Sequence, residues 1–501
     1  NEKEGILMDK NNGAIYDARK LGKPKMIILG VQHMFAMFGA TILVPILTGL
    51  DISTTLLMAG LGTLLFHCIT KFKVPAFLGS SFAFLGGYAA IKALSPDDPN
   101  SMLPYACLGV ACAGLIYFIL AAVIKAVGIE KLMRFFPPVV TGPIIIAIGL
   151  GLAPSAVSNC TTNWFLAVVA LAVIVVFNIW GKGMAKIIPI ILGLLISYGT
   201  GLVLYFISQA NPDLIQNVPW LFSGGADANG VYQPIFDFTS LNTICDNISK
   251  GHIFGSEGLI GIPIHWDKTV FGGIDYSNGA LIASSIIAIV PIAFATMMEH
   301  IGDICAISST TGNNYIKDPG LHRTLVGDGL ATTLASLFGG PANTTYGENT
   351  GVLALTRVYD PRVIRIAAYF AVAVSFFPIV SVIIGSIPSC IIGGISFVLY
   401  GMISAIGVRN VVENKVDFTK SRNLIVAAVI LVCALGLSSN TVSFAIGSAE
   451  ITLSPLAVAS IAGIVLNAVF PGKDYKFDTE DVADAVNFEK EVKPKEKKEK
   501  K

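Results

Sequence analysis

Charge is scarce in this sequence. Only 13% of the 501 residues are Asp, Glu, Lys or Arg, whereas a soluble domain carries about 25%. With 53% of residues apolar or aromatic and a mean hydropathy of +0.70, a chain this long has no water-compatible surface. A soluble globular fold is excluded, and a lipid bilayer is the implied solvent. Cysteine is sparse as well: the eight show no Cys-x-x-Cys spacing and no Cys/His cluster, so no metal or cofactor is expected. Cys68, Cys107, Cys112, Cys305, Cys390 and Cys433 lie in apolar runs and read as small core hydrophobes. Cys160 and Cys245 fall in polar loops assigned to one side, which leaves a disulfide between them open. Dense basic patches are missing too. Lys493 to Lys501 alternates with Glu and reads as a solvated tail, so nucleic acid is not an expected partner. The polar stretch Asn1 to Lys25 has no signal-peptide core, so insertion is expected to begin with the first spanning helix.

What the chain does have is apolar runs of bilayer length, about 17–25 residues. They fall at 27–49, 54–70, 76–94, 103–127, 137–155, 163–180 and 187–208, and again at 280–308, 324–339, 341–356, 364–386, 388–407, 423–438 and 449–470. The expected fold is therefore all-α and polytopic, with about fourteen spans in two sets of seven. The expected divisions are 1–26 as a cytoplasmic segment, 27–208 and 280–470 as the two repeats, 209–279 as an extracytoplasmic insertion and 471–501 as a charged cytoplasmic tail. Loop charge tests this count independently. With the N-terminus inside, sixteen Lys and Arg residues fall in inner loops, among them Lys71, Lys125, Arg134, Lys182, Arg323, Arg357, Arg409 and Arg422. Only Lys250 and Lys268 fall outside, with Lys92 near one outer helix end. That is the positive-inside imbalance, and it places both termini in the cytoplasm. An odd number of spans per half makes the halves inverted repeats, a design common among secondary transporters.

Two spans break the rule that membrane-buried backbone be regular. Pro75-Ala76-Phe77-Leu78-Gly79-Ser80-Ser81 opens the third, and Pro341-Ala342-Asn343-Thr344-Thr345-Tyr346-Gly347 opens the tenth. Each reads as a short extended stretch running into a half-helix, tolerated only where protein or a cavity surrounds it. The half-helix N-termini would then offer N–H groups and partial positive charge near mid-membrane. The bland alternative is a pair of ordinary Pro/Gly loops, which the matching positions in the two halves make the weaker reading.

Buried acids are the second violation. Glu299, Asp303, Asp328 and Glu348 fall within spans, with Glu450 near the start of the last. A charge at a helix centre costs about 2.5–3.5 kcal/mol or more, so such residues face cavities and mark ion or substrate pathways. Glu299 and Asp303, four apart, share one helix face. Glu348 follows Gly347 at the break. Asp328, in Gly327-Asp328-Gly329, reads as a helix cap, and Glu450 as interfacial. Gln32 and His33, side by side in the first span, are candidates to support the site. Carboxylates suit a substrate rich in N–H donors, such as a planar lactam ring, and Phe82 and Tyr346 offer it aromatic surface. Burial favours the neutral form of a carboxylic acid, so an acid in a dry site can carry a proton near neutral pH and couple transport to it. Spacing alone does not separate a nucleobase from another small polar solute.

At these residues the sequence resembles the nucleobase/ascorbate transporter (nucleobase:cation symporter-2) family, over nearly all spans. The family signature in the tenth span is Gln, Glu or Pro, then Asn-x-Gly, four residues, and Thr followed by Arg, Lys or Gly. Here it reads Glu348-Asn349-Thr350-Gly351-Val352-Leu353-Ala354-Leu355-Thr356-Arg357. Asn343 to Gly347 before it, Gln32-His33, Phe38-Gly39-Ala40-Thr41, Leu78 to Phe84 and Glu299-His300-Ile301-Gly302 also match, most nearly in the bacterial uracil-permease branch. The resemblance implies a core domain from the first four spans of each half, a gate domain from the last three, a homodimer, and an elevator-like movement of core against gate. It implies proton-coupled uracil uptake across the cell membrane, with Glu299 and Glu348 holding the base and Gly347, Tyr346, Phe82 and Ala40 lining its pocket. Asn349, Gln32 and His33 would support the site. The position four after the eighth-span glutamate is usually His in uracil permeases, where it is associated with proton coupling. Here it is Asp303, as in xanthine and urate carriers. A purine symporter is thus the nearest rival. An anion transporter or channel of the same architecture is a rival from another class, and two buried glutamates speak against it. No nucleophile–base set accompanies the acids, so an enzyme is not expected.

Overall fold

The computed structural model describes residues 14–128, 134, 136–437, 442–446 and 449–472. Helices dominate, and each of the fourteen apolar segments contains one. They are α1 (Lys23–Thr48), α2 (Ile52–Ile69), α3 (Leu85–Lys92), α4 (Leu103–Val127), α5 (Pro138–Cys160), α6 (Trp164–Trp180) and α7 (Pro189–Ala210) in the first half. In the second they are α8 (Gly279–Thr311), α9 (Leu321–Leu337), α10 (Gly347–Thr356), α11 (Pro361–Ser375), α12 (Ser389–Glu413), α13 (Ser421–Gly436) and α14 (Pro455–Val469). Among the described residues seven helices are long and apolar enough to cross a membrane alone, or eight if α11 and the short helix Pro378–Gly385, bent by 88° to it, form one broken span. Pro378 lacks the N–H to continue α11, which explains that break inside the predicted 364–386 segment. The predicted 449–470 segment also changes character: it opens as a hairpin of β5 (Val442–Ile446) and β6 (Ala449–Leu453), and α14 starts at Pro455 behind the Ser454 cap.

Helix packing follows one rule: a pair of helices n and m is matched by the pair seven positions on in each half. Thus α4 packs on α9 and α2 on α11; α6 on α7 and α13 on α14; α6 on α12 and α13 on α5; α1 on α11 and α8 on α4. The pairs α5–α12 and α2–α9 map onto themselves. Small residues let these helices approach, as expected where lipid offers no hydrophobic drive between them. A Cβ on Gly149 of α5 would lie 2.2 Å from the Tyr400 carbonyl oxygen of α12, and one on Gly407 of α12 would lie 2.6 Å from the Ile146 nitrogen of α5.

Residues 209–279 are ordered. They hold the short helices Asp213–Asn217 and Pro219–Phe222, a hairpin of β2 (Ser223–Ala226) and β3 (Tyr232–Pro234), and a helix Thr239–Ser249. The segment is fastened to helix ends: Asn163 Nδ2, at the α6 cap, donates to the Leu221 and Ser223 carbonyls at 3.2 and 2.8 Å. Cys160 is buried at the end of α5 and Cys245 is exposed on the Thr239–Ser249 helix, and both are free, so no bridge joins them. Cys68 is exposed rather than a core residue.

At the opposite end the chain ahead of α1 is clasped to the second half. Ile15 N donates to the Arg357 carbonyl at 2.8 Å, Tyr16 Oη to the Thr311 carbonyl at 2.6 Å, and Ala18 N to Asp360 Oδ2 at 2.7 Å. Arg19 and Arg362 flank Asp17 here, and the Arg19 guanidinium in first place holds that carboxyl well below the usual carboxylate range.

Candidate functional site

The two helix-breaking stretches meet. β1 (Leu78–Ser80) and β4 (Asn343–Thr345) pair antiparallel, Leu78 opposite Thr345 and Ser80 opposite Asn343. Flanking bonds from Ser81 N to the Ala342 carbonyl (2.9 Å) and from Tyr346 N to the Phe77 carbonyl (3.0 Å) extend the ladder. A two-stranded sheet leaves an outer edge on each strand, and side chains of the neighbouring helices satisfy both. Thr63 of α2 accepts from Leu78 N at 2.9 Å and donates to its carbonyl at 3.2 Å. Thr332 of α9 donates to the Asn343 carbonyl at 2.6 Å, while Asn343 Nδ2 donates to the Met58 carbonyl of α2 at 3.0 Å. Extended backbone is thus paired along the ladder and bonded by side chains on its outer edges, as irregular backbone inside a membrane requires. From this ladder α3 and α10 depart, each starting near the strand pair.

Around it the predicted residues collect. Tyr346, the residue before α10, donates its hydroxyl to the Ser80 carbonyl at 2.9 Å and accepts from Thr41 Oγ1 of α1 at 3.3 Å. Its ring crosses the face of Gly79, where an added Cβ would lie 2.5 Å from Tyr346 Cζ. Ala40 is fully buried in the same apolar cluster as Tyr346 and Tyr400, and Phe82 packs against that cluster, edge-on to Tyr400 at 6.2 Å. From α8, Asp303 Oδ2 accepts from Thr345 Oγ1 at 2.8 Å. A Cβ built on the exposed Gly347 would lie 3.7 Å from Asp303 Oδ1. Glu299 lies one turn earlier on α8 and is half-buried. Asn349 Nδ2 lies 3.3 Å from both the Nδ1 and the carbonyl oxygen of buried His33, tying α10 to α1. Gln32 Oε1, His33 Nε2 and Asn349 Oδ1 are buried and make no hydrogen bond among the described residues. Glu348 occupies the first turn of α10, but its side chain lies outside the described residues, as does that of Glu450 on β6.

Asp328 departs from expectation. The helix starts at Leu321 behind Gly320, so Asp328 sits two turns inside α9 and caps nothing. It is fully buried, with Oδ2 3.2 Å from Nδ1 of the equally buried His300 of α8. His300 Nδ1 is also 3.4 Å from Thr345 Oγ1, the hydroxyl that reaches Asp303. A chain of polar groups thus runs from Asp328 through His300 and Thr345 to Asp303. Gly327 and Gly329, which flank the expected cap, instead allow close contact inside the helix: a Cβ there would lie 2.8 Å from Phe66 and 2.5 Å from Tyr117. The signal for His300 was its place beside Glu299.

Gly79→Ala is expected to displace the Tyr346 ring. Overpacking of this kind costs about 1–3 kcal/mol, so the purified variant should melt below wild type. Thermal melting checks this, and an unchanged melting temperature would show that the ring moves aside without cost.

The model of a family described as "Permease family" matches residues 24–442. The chain belongs to the nucleobase/ascorbate transporter family. Among relatives, the uracil permease of Bacillus caldolyticus is 38% identical over 89% of this chain and 92% of its own. The uracil permease of Bacillus subtilis is 37% identical over 90% of this chain and 94% of its own. Among solved structures, the transmembrane domain of the cyanobacterium bicarbonate transporter BicA aligns with a TM-score of 0.55 at 14% identity, over 90% of this chain and 99% of that one. That likeness is one of fold. In this nucleobase/ascorbate transporter the family signature is one structural unit: Glu348 lies in the first turn of α10, and Arg357 ends the helix in the left-handed conformation, φ 54°.

Proposed function

We propose that this chain is a proton-coupled symporter that takes up a nucleobase, uracil first among candidates, across the cytoplasmic membrane. The observation that carries the reading is Asp303 against Thr345 and Gly347 at a paired helix break, with Glu299 one turn earlier on the same helix, in a chain whose relatives over about nine-tenths of its length include uracil permeases. Carboxylates accept from ring N–H groups, and N–H groups at the start of α10 donate to ring carbonyls. Glu299 and Glu348 hold the base, Gly347, Tyr346, Phe82 and Ala40 shape its pocket, and Gln32, His33 and Asn349 support it. The chain crosses the bilayer fourteen times with both termini inside, in two inverted halves, and works as a dimer. The seven-position rule of helix packing supports the two halves. A core of α1–α4 with α8–α11 moves against a gate of α5–α7 with α12–α14, and Phe82 meets Tyr400 where the two adjoin.

One observation favours a purine instead: Asp303 stands where uracil permeases usually carry His. Melting of the purified protein with uracil, xanthine and adenine in parallel decides, because a ligand that binds only the folded state raises the melting temperature. A rise with uracil alone is the expected result. A rise with xanthine alone overturns the uracil assignment, and no rise with any base overturns the nucleobase reading. Asp303→Asn keeps an amide oxygen to accept from Thr345 but cannot carry a proton. It should bind uracil with affinity close to wild type while losing pH-driven accumulation, read as counterflow retained and uphill uptake lost. Unchanged uphill uptake across a pH series would make Asp303 a structural acid.

A further inference from the structure

Far from the helix break in sequence, the ends of α5, α12, α13 and α14 border an open cavity of about 500 Å³. Among the described residues four cations line it, Arg134, Lys415, Lys420 and Arg422, against two acids, Glu413 and Asp417. Both acids are already engaged. Glu413 pairs with Arg409 Nε at 2.6 Å, and Asp417 accepts from the Thr419 N–H and hydroxyl at 2.9 and 2.6 Å. Arg422, by contrast, is held only by neutral groups. Its Nη2 donates to Asn467 Oδ1 at 2.6 Å and its Nη1 to Asn423 Oδ1 at 3.0 Å, and among the described residues no carboxylate pairs with it. Asn467, itself buried, donates in turn to the Arg134 carbonyl at 3.0 Å. The cavity wall is thus built around a fixed guanidinium.

Lys415 adds a second sign of design. It follows α12 with φ 50°, and the bonds from Lys415 N to the Val412 carbonyl (3.0 Å) and Val416 N to the Val411 carbonyl (3.1 Å) form a left-handed helix stop. Glycine enters that conformation freely, whereas an L side chain enters it at a cost. Here the position carries a cation facing the cavity. On the topology proposed above, on which this inference rests, the opening lies at helix ends where the Lys and Arg excess collects, the depth at which lipid headgroups meet protein.

We propose that this cavity binds a phosphate-bearing anion, supplied by the headgroup of an anionic lipid in the adjacent leaflet. The Arg422 charge, which no carboxylate among the described residues neutralises, and Lys415 at the rim favour phosphate oxygens, and cation pockets between helices at headgroup depth take such anions. A free phosphate is the other source of the same chemistry.

The test uses delipidated full-length protein and native mass spectrometry, with phosphatidylglycerol, phosphatidylcholine and inorganic phosphate as probes. Wild type should retain phosphatidylglycerol at least about tenfold more tightly than phosphatidylcholine, and Lys415→Gly with Lys420→Gln should lose most of that difference. Lys415→Gly alone relieves the left-handed strain, so this variant should melt no lower than wild type while holding phosphatidylglycerol more weakly. Uncompetitive millimolar phosphate assigns the site to lipid, and phosphate that displaces the lipid or binds alone assigns it to a soluble anion. Equal retention of the two lipids by wild type, or phosphatidylglycerol retention unchanged in Lys415→Gly and in the double variant, overturns the proposal.

Discussion

Purified Glu299→Gln should lose uracil binding by roughly two orders of magnitude in Kd while melting, without ligand, within a few degrees of wild type. A hydrogen bond to a charged group contributes about 1.5–3 kcal/mol, and a neutral amide offers a weaker acceptor plus an N–H that faces the donor of the base. The upper part of that range corresponds to about a hundredfold. Folding should survive because the residue is half-buried on α8 and the substitution keeps its volume. Glu299→Asp separates reach from charge: it keeps the carboxylate but draws it back by one methylene, and intermediate affinity is expected. Glu348→Gln, at the first turn of α10, should behave like Glu299→Gln. Titration calorimetry with uracil reads all three, and full affinity in either amide variant would sink the assignment of that residue to the base.

The second large effect should fall on stability. Asp328 and His300 are both fully buried, 3.2 Å apart, and removing one partner leaves the buried polar atoms of the other without compensation, at about 1–3 kcal/mol. Asp328→Ala and His300→Ala should each lower the melting temperature sharply, and the double variant should lie well above the sum of the two losses. That non-additivity is the mark of direct coupling. Additive losses would mean that the two side chains act separately despite their distance. Because His300 also touches Thr345, which holds Asp303, Asp328→Asn should weaken uphill uptake beyond what its residual stability explains.

The membrane solvent, the apolar segments and the two helix breaks were legible in the sequence because each rests on local composition. Pro341 and Pro75 announce irregular backbone wherever they stand, and hydropathy counts do not depend on tertiary contacts. Pairing of β1 with β4 was not legible, since no local pattern says which distant strand Leu78 will face. Asp328 failed for a related reason. An acid between glycines near a helix start reads as a cap, but between packed helices the same glycines serve close approach, and only the position of Phe66 and Tyr117 distinguishes the two uses. Cys160 and Cys245 show the limit of loop assignment: placing both on one side says nothing about distance. The break at Pro378 was visible as a residue and missed as an event, because an apolar run masks a change of direction.

The β1–β4 ladder also has a consequence for how the protein is made. Tyr346 and Ser80, joined across it, are 266 residues apart in the chain. At roughly 5–20 residues per second of synthesis, β1 would leave the ribosome some 13–53 s before its partner. During that interval the first half would sit in the bilayer with one strand edge unpaired, a state the lipid penalises. Thr63 of α2, which is made before β1, already bonds to Leu78 on the other edge, so the edge that waits is the one facing β4. The remaining exposure marks a window in synthesis, after α7 and before β4, when a stalled or truncated chain would be most open to quality-control proteolysis.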